Sequence, residues 1–309
     1  MRILVTGGAG YIGSMLVPQL LKLNHKVRVI DNLMYDPEPL LENFFNSNFE
    51  FIKGDVTNSK DLSDALESID IVVHLAAIVG YPACKKFPVL AKSVNFKATE
   101  LLCSLTNKQT SIVFGSTGSN YGAISNQICT EETPLSPLSL YGETKTMAES
   151  IVHERGNSVC YRFATAYGVS RRMRLDLLIN DFVFQAVKNK NLTIYEKSFK
   201  RTFIHVRDIV DSFIFAIDNF QNLKNEIFNV GSDKQNLSKQ DIAEILKKKI
   251  DFYLHYAEIG KDEDQRNYEV SYEKIKSKGF VPKISINQGI DELIKTSRLL
   301  NIYNKYSNI

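Results

Sequence analysis

Apolar residues in the first half of the chain fall into short runs, separated by stretches in which they recur every three to four positions. Residues 3–6, 27–30, 49–53, 69–74, 111–114 and 159–163 have the length and β-branched content of buried strands. Between them, residues 10–23, 59–66, 89–106 and 140–154 carry helical spacing. Strand–helix alternation of this kind predicts βαβ units, hence an α/β class with a doubly wound parallel sheet covered on both faces. After about residue 170 the rhythm becomes irregular. Short strands (192–195, 201–205, 226–230) interleave with helices (175–187, 206–218, 238–248, 288–300). The expected division is a sheet domain over 1–170 and a smaller C-terminal α/β lobe over 171–309, with an interleaved boundary and the lobe closing over the sheet's carboxyl edge.

Composition narrows the class. With 44% hydrophobic and 24% charged residues the chain is an ordinary globular one, and its formal charge of +3 gives no reason to expect nucleic acid or a membrane as partner. No apolar run reaches the roughly 18 residues that cross a bilayer. Met1 leads directly into the first strand without a secretory leader, so the expected location is the cytoplasm. Cys84, Cys103, Cys129 and Cys160 lack metal-ligand spacing and are expected to be reduced thiols. The five histidines show no paired spacing either, so no metal is expected.

The strongest chemical signal lies where the first strand meets the first helix, at Thr6-Gly7-Gly8-Ala9-Gly10-Tyr11-Ile12-Gly13. Gly7 permits a tight turn, Gly10 lets the backbone approach a pyrophosphate, and Gly13 allows close helix–strand packing. The helix start then offers amide donors and a partial positive charge to phosphates. Asp31 ends the second strand, 18 residues beyond Gly13. A carboxylate there accepts bonds from a ribose 2′-hydroxyl and repels a 2′-phosphate, and Asn32 and Leu33 supply no cation for that phosphate. The pattern predicts a Rossmann-type site for NAD. Asp55 and Val56, after the third strand, are positioned to cap the adenine; the bland alternative for Asp55 is a turn residue after Gly54.

Tyr141 and Lys145 stand four residues apart on one predicted helix face. A phenol titrates near pH 10 in water, but a neighbouring ammonium favours the phenolate and fits Tyr141 to act as a general base. Ser116 and Thr117 end a strand with hydroxyls aimed at the same cleft.

In this order the motifs resemble the extended short-chain dehydrogenase/reductase family, in its nucleotide-sugar epimerase/dehydratase branch. The resemblance covers essentially the whole chain. It rests on the glycine turn, Asp31-Asn32-Leu33, Gly54-Asp55-Val56, His74-Leu75-Ala76-Ala77, Val94-Asn95, Ser116-Thr117 with Tyr121-Gly122, and Tyr141-x-x-x-Lys145. It continues through Tyr161-Arg162-Phe163, Tyr167-Gly168, Arg201-Thr202-Phe203-Ile204-His205-Val206-x-Asp208 and Phe228-Asn229-Val230-Gly231. The resemblance implies that Tyr141 takes a sugar hydroxyl proton, Thr117 hydrogen-bonds that hydroxyl, and Lys145 positions the cofactor and tunes Tyr141. It also places Leu75, Ala76 and Ala77 along the cofactor, Asn95 as a structural asparagine at its nicotinamide side among the cofactor-binding residues, and Arg201 near the nucleotide diphosphate. Residues 171–182 and 78–84 are similar to a subgroup that includes GDP-heptose C4 dehydrogenases of surface-polysaccharide synthesis. That likeness brings Arg171, Arg172 and Arg174 in as arginines able to clamp phosphates, with a solvated basic loop as the alternative, Arg174 and Asn180 as substrate contacts, and Arg266 as a further phosphate ligand.

The chain also departs from the family. Gly118 and Ser119 stand where 4,6-dehydratases carry an Asp-Glu pair, so water elimination is not expected. Thr165 replaces the customary Asn among the substrate contacts. The expected function is therefore NAD-dependent oxidoreduction at C4 of a nucleotide-diphosphate sugar, by a C4 epimerase or a C4 dehydrogenase, in surface-polysaccharide sugar synthesis. An NDP-ketosugar reductase and a non-catalytic NAD-binding sensor are the alternatives. The resemblance also implies a homodimer built through helices 89–106 and 140–154.

Overall fold

In the computed structural model, which describes residues 1–259, 267–300 and 306–308, seven strands make one all-parallel sheet. They are β1 (Arg2–Thr6), β2 (Lys26–Asp31), β3 (Phe49–Lys53), β4 (Ile71–His74), β5 (Ser111–Thr117), β7 (Ser158–Phe163) and β11 (Glu226–Val230), in the order β11-β7-β5-β4-β1-β2-β3. Register sets Val5 beside Val29 on one side and Val73 on the other. Alternate residues of a strand face opposite layers. Ile3 and Val5 pack with Leu16, Leu20 and Phe213 on one face, and Leu4 packs with Leu62, Leu102 and Val152 on the other. Burial on both faces explains why these strands read as unbroken apolar runs rather than alternating ones.

β1, β2 and β3 proceed outward in one direction, and β4 returns to the other side of β1. The order reverses between β1 and β4, and at such a switch point the connecting loops part and leave a crevice at the strands' carboxyl ends. The smaller lobe lies beyond it. β8 (Thr165–Tyr167), β10 (Lys200–His205) and β12 (Asn236–Ser238) form a three-stranded sheet there, and β9 (Asn191–Tyr195) pairs with β13 (Tyr253–Ala257). A separate core of Ile179, Val183, Phe203 and Leu293 holds this lobe together. β6 (Ala123–Cys129) pairs with β14 (Asn267–Val270) and ties the two parts.

Two elements differ from expectation. The strand at 226–230, expected in the smaller lobe, closes the edge of the main sheet, with Phe228 beside Tyr161. Its buried Phe228-Asn229-Val230 end suits a sheet covered on both faces, and it interleaves the two parts in sequence. The expected helix at 89–106 is interrupted: Pro88–Lys92 and Ala98–Leu105 are α-helical, and Ser93–Lys97 between them is a π-turn. The wide turn carries Asn95, whose side chain bonds both backbone groups of Ile78. Among the described residues no helix is long and apolar enough to cross a membrane, and no cluster of side chains could hold a metal ion.

Candidate active site

A cavity of about 260 Å³ occupies the switch point, lined from both parts of the fold. Its floor is the glycine turn, with Gly7, Gly10, Tyr11, Ile12 and Gly13 on the wall. Gly7 has φ +71°, and a Cβ there would stand 2.8 Å from the Ala76 backbone. At Gly13 a Cβ would meet the Gly7 carbonyl at 2.5 Å. Only glycine lets the helix Gly13–Lys22 start this close to β1, with the turn before it and Gly13 itself on the cavity wall.

Asp31 closes one end. Its carboxylate accepts from the Ala9 and Leu33 amides, both at 2.9 Å, and so ties β2 to the glycine turn. Burial raises its carboxyl above the usual range, while the two amides pull it back. Asp55 and Val56 line the same end with Asn32. The Asp55 carboxylate accepts from Thr57 N (2.8 Å), Thr57 Oγ1 (2.7 Å) and Asn32 Nδ2 (3.0 Å), so it builds its turn and faces the cavity at once.

Leu75, Ala76 and Ala77 form the opposite wall, held by a buried chain of hydrogen bonds. Thr6 Oγ1 accepts from the amides of Leu75 and Ala76, both at 3.1 Å, and lies 2.7 Å from His74 Nδ1. His74 Nε2 lies 3.0 Å from Thr99 Oγ1, which donates to the Asn95 carbonyl. A hydroxyl has one proton to give. Thr99 has used its own, so it accepts from Nε2–H; His74 Nδ1 is then the acceptor for Thr6. The imidazole is neutral, held down to about 3 by burial and by the Lys145 ammonium.

The catalytic candidates converge on the third side. Ser139 caps the helix Leu140–Arg155, accepting from the Gly142 amide at 3.2 Å. Tyr141 is therefore in the first turn, where the helix dipole favours a phenolate. Thr117 ends β5 on the same cavity and donates to Ser119 Oγ at 3.0 Å. Lys145 lies one turn below Tyr141, 3% exposed, its ammonium 3.9 Å from the centre of the Phe114 ring. Burial pushes this ammonium down from the usual 10.5 to about 7, against the opposing pull of Glu149.

A stability consequence follows from Lys145. Between pH 7 and 10.5 the unfolded chain carries a proton that the folded, dinucleotide-free protein has given up, so folding gains stability as pH rises through that window. Below pH 7 the penalty is present in full. Thermal melts of the dinucleotide-free protein should show this rise, and Lys145→Met should flatten it. Parallel slopes in the two proteins would remove Lys145 as its source.

Thr165 and Arg174 also reach the cavity, but three expected ligands lie elsewhere. Asn95 is buried behind the wall, donating to the Ile78 carbonyl and Thr144 Oγ1 and accepting from the Ile78 amide. Asn180 is fully enclosed; it accepts from the Gly168 amide (2.9 Å) and donates to the Arg174 carbonyl (2.8 Å). With their polar atoms engaged by the fold, both position neighbours rather than a ligand. Arg201 is 1% exposed in β10, outside the cavity lining. Arg266 lies outside the described residues. Arg172, named in the sequence with the run of arginines, lines the cavity, and so do Tyr35, Tyr268 and Asn308, which nothing local in the sequence marks.

Comparison with known proteins agrees with this geometry. The model of the NAD dependent epimerase/dehydratase family matches residues 3–231. A Bacillus subtilis protein described as an uncharacterized UDP-glucose epimerase is 35% identical over 248 residues, covering 75% of this chain and 77% of its own. UDP-glucuronic acid decarboxylase 1 of Arabidopsis thaliana is 29% identical over 322 residues, covering 97% of this chain and 71% of its own. Among solved structures, the UDP-glucuronic acid 4-epimerase of Bacillus cereus in complex with UDP-glucuronic acid and NAD matches with a TM-score of 0.86 at 29% identity. The match covers 97% of this chain and 100% of that one.

Proposed function

Because this chain belongs to the NAD-dependent epimerase/dehydratase family, we propose that it is a nucleotide-sugar 4-epimerase that oxidises C4 of an NDP-sugar and reduces it again from the other face. The observation that carries this reading is the convergence of Tyr141, Thr117 and Lys145 on the cavity that the glycine turn and Asp31 also line. The cradle at Gly7 and Gly13, which a Cβ would fill, suits a dinucleotide pyrophosphate, and Asp31 suits an unphosphorylated ribose. NAD, when bound, supplies a hydride acceptor that becomes the donor for the return step.

The chain's own groups do the rest. Thr117 orients the 4-hydroxyl, and the Tyr141 oxygen takes its proton as the C–H bond breaks. The Lys145 charge and the helix start lower the cost of the phenolate. The keto sugar then turns within the cavity, and Tyr141 returns the proton to the new alcohol. Gly118 and Ser119 offer no acid–base pair for dehydration.

The test is to incubate the purified protein with UDP-glucose, UDP-glucuronic acid and GDP-heptose, following products by NMR. An epimerase interconverts C4 stereoisomers with no net gain in absorbance from reduced nicotinamide. Accumulating reduced cofactor would make it a C4 dehydrogenase, the finer alternative. Loss of carbon dioxide from UDP-glucuronic acid would make it a decarboxylase.

A cytoplasmic homodimer in surface-polysaccharide sugar synthesis is part of the same proposal. Exposed Val89 (81%) and Met147 (47%), on the helical stretches expected at the interface, support the dimer. A monomeric mass in solution would remove it.

A further inference from the structure

We infer that Arg172 and Arg174 clamp the pyrophosphate of the dinucleotide, rather than the sugar nucleotide, and hold the cofactor in place through turnover. The inference rests on the dinucleotide reading of the glycine turn. Both arginines line the cavity, with exposures of 6% and 7%, and Lys145 is the only other lysine or arginine among the described lining residues.

Their loop hangs from the element that would meet the phosphates. Tyr11 Oη donates to the Gly168 carbonyl at 2.7 Å, Ser170 Oγ donates to the Tyr11 carbonyl at 2.6 Å, and the Arg172 amide donates to Ser14 Oγ at 3.4 Å. The chain from 168 to 174 is thereby fastened over the start of the helix Gly13–Lys22.

Each guanidinium is aimed. Arg174 donates from Nε and Nη2 to the Asp176 carboxylate at 3.3 and 2.5 Å, and Nη1 has no partner among the described residues. Its Nη2 lies 3.7 Å from where a Gly80 Cβ would stand, a few residues beyond the Leu75–Ala77 wall. Arg172 lies over the Tyr35 ring, 3.9 Å from its centre, and donates to Asn308 Oδ1 at 2.6 Å. Tyr35 follows Asp31 by four residues, so the two arginines bridge the cavity from the ribose end to the opposite wall.

Charge points the same way. Asp176 pairs directly with the Arg174 guanidinium; Arg172 donates to the neutral Asn308 and the Ser307 carbonyl and lies over the Tyr35 ring, with Asp176 and Asp36 acting on it only as nearby charges and the Arg174 charge opposing them. Two buried guanidinium groups that share one directly paired carboxylate leave donors over for an anion, and a diphosphate presents paired oxygens that a guanidinium matches. A cofactor enclosed in this way suits an epimerase, in which the hydride is returned to the same sugar.

The test uses the full chain freed of dinucleotide, with Kd values from calorimetry. Arg174→Met and Arg172→Leu should each weaken NAD and ADP-ribose roughly 10- to 100-fold, the loss of a charge-assisted hydrogen bond. UDP, measured with NAD in excess, should bind as before. Asn308→Ala keeps both charges but unfastens Arg172, and should speed NAD release several-fold, which keeps the clamp testable if an arginine variant fails to fold. If UDP weakens while NAD and ADP-ribose do not, the arginines belong to the sugar nucleotide and the clamp is wrong. Wild-type protein that binds neither NAD nor ADP-ribose would overturn the cofactor reading itself, and the clamp with it.

Discussion

Tyr141→Phe should lower kcat by roughly 10²- to 10⁴-fold, the usual contribution of a positioned general base, and should leave dinucleotide binding intact. The substitution removes one oxygen from a side chain in the first turn of Leu140–Arg155 and leaves the ring, the Ser139 cap and Lys145 where they are. The neighbouring hydroxyls on this wall cannot replace it. Thr117 Oγ1 is engaged with Ser119, Ser116 Oγ donates to Glu149 at 2.6 Å, and neither hydroxyl ionises near neutrality. The check is paired: initial rates on the epimerised sugar nucleotide, and NAD content after denaturation. Wild-type turnover in the variant would remove Tyr141 as the base. Loss of both turnover and NAD would mean that the ring's oxygen serves the cofactor site first.

How much of this site the chain discloses before folding depends on how local each signal is. The glycine turn, Asp31 and the Tyr141–Lys145 pair are legible because one turn or one helix face sets their spacing. The parallel sheet is legible too, since strands covered on both faces read as apolar runs. What escapes is assembled from afar. Tyr35, Arg172 and Asn308 meet at one guanidinium from three segments, and no periodicity in any of them points to the others. β6 and β14 pair across more than a hundred residues, with a register irregularity between Asn267 and Glu269. Asn95 is legible in kind, as a structural asparagine, but not in its partners. Its position in the sequence suggests the cofactor, yet a π-turn swings its amide onto Ile78, and its contribution passes through the backbone it holds.

Glu149 carries the same lesson further. A glutamate in the middle of a helix reads as solvated, but this one is 2% exposed beneath the active site. Its carboxylate accepts from Arg162 Nε at 3.0 Å and Nη2 at 2.7 Å, from Ser116 Oγ at 2.6 Å and from Asn120 Nδ2 at 3.2 Å. Arg162 is bound in turn by Tyr121 Oη and the Glu131 carbonyl, both at 3.1 Å. The pair pins the end of β5, and so Thr117, to the helix that carries Tyr141.

Arg162→Met should therefore destabilise the fold by about 3–5 kcal/mol, because it strands a buried carboxylate that two neutral donors cannot satisfy. Adding Glu149→Leu should recover much of that loss, since an apolar pair of similar volume has no charge to desolvate. Urea unfolding of both single variants and the double gives the coupling directly. The recovered stability should come without recovered turnover. Glu149 is one helical turn from Lys145 and holds its ammonium up against the desolvation that pushes it towards 7. Without that carboxylate Lys145 loses its charge at lower pH, and the support for the Tyr141 phenolate goes with it. The double variant would then be a stable protein whose activity falls away at lower pH than the wild type's. If its pH profile matches the wild type, the ion pair serves the fold alone, and Lys145 keeps its charge by some other means.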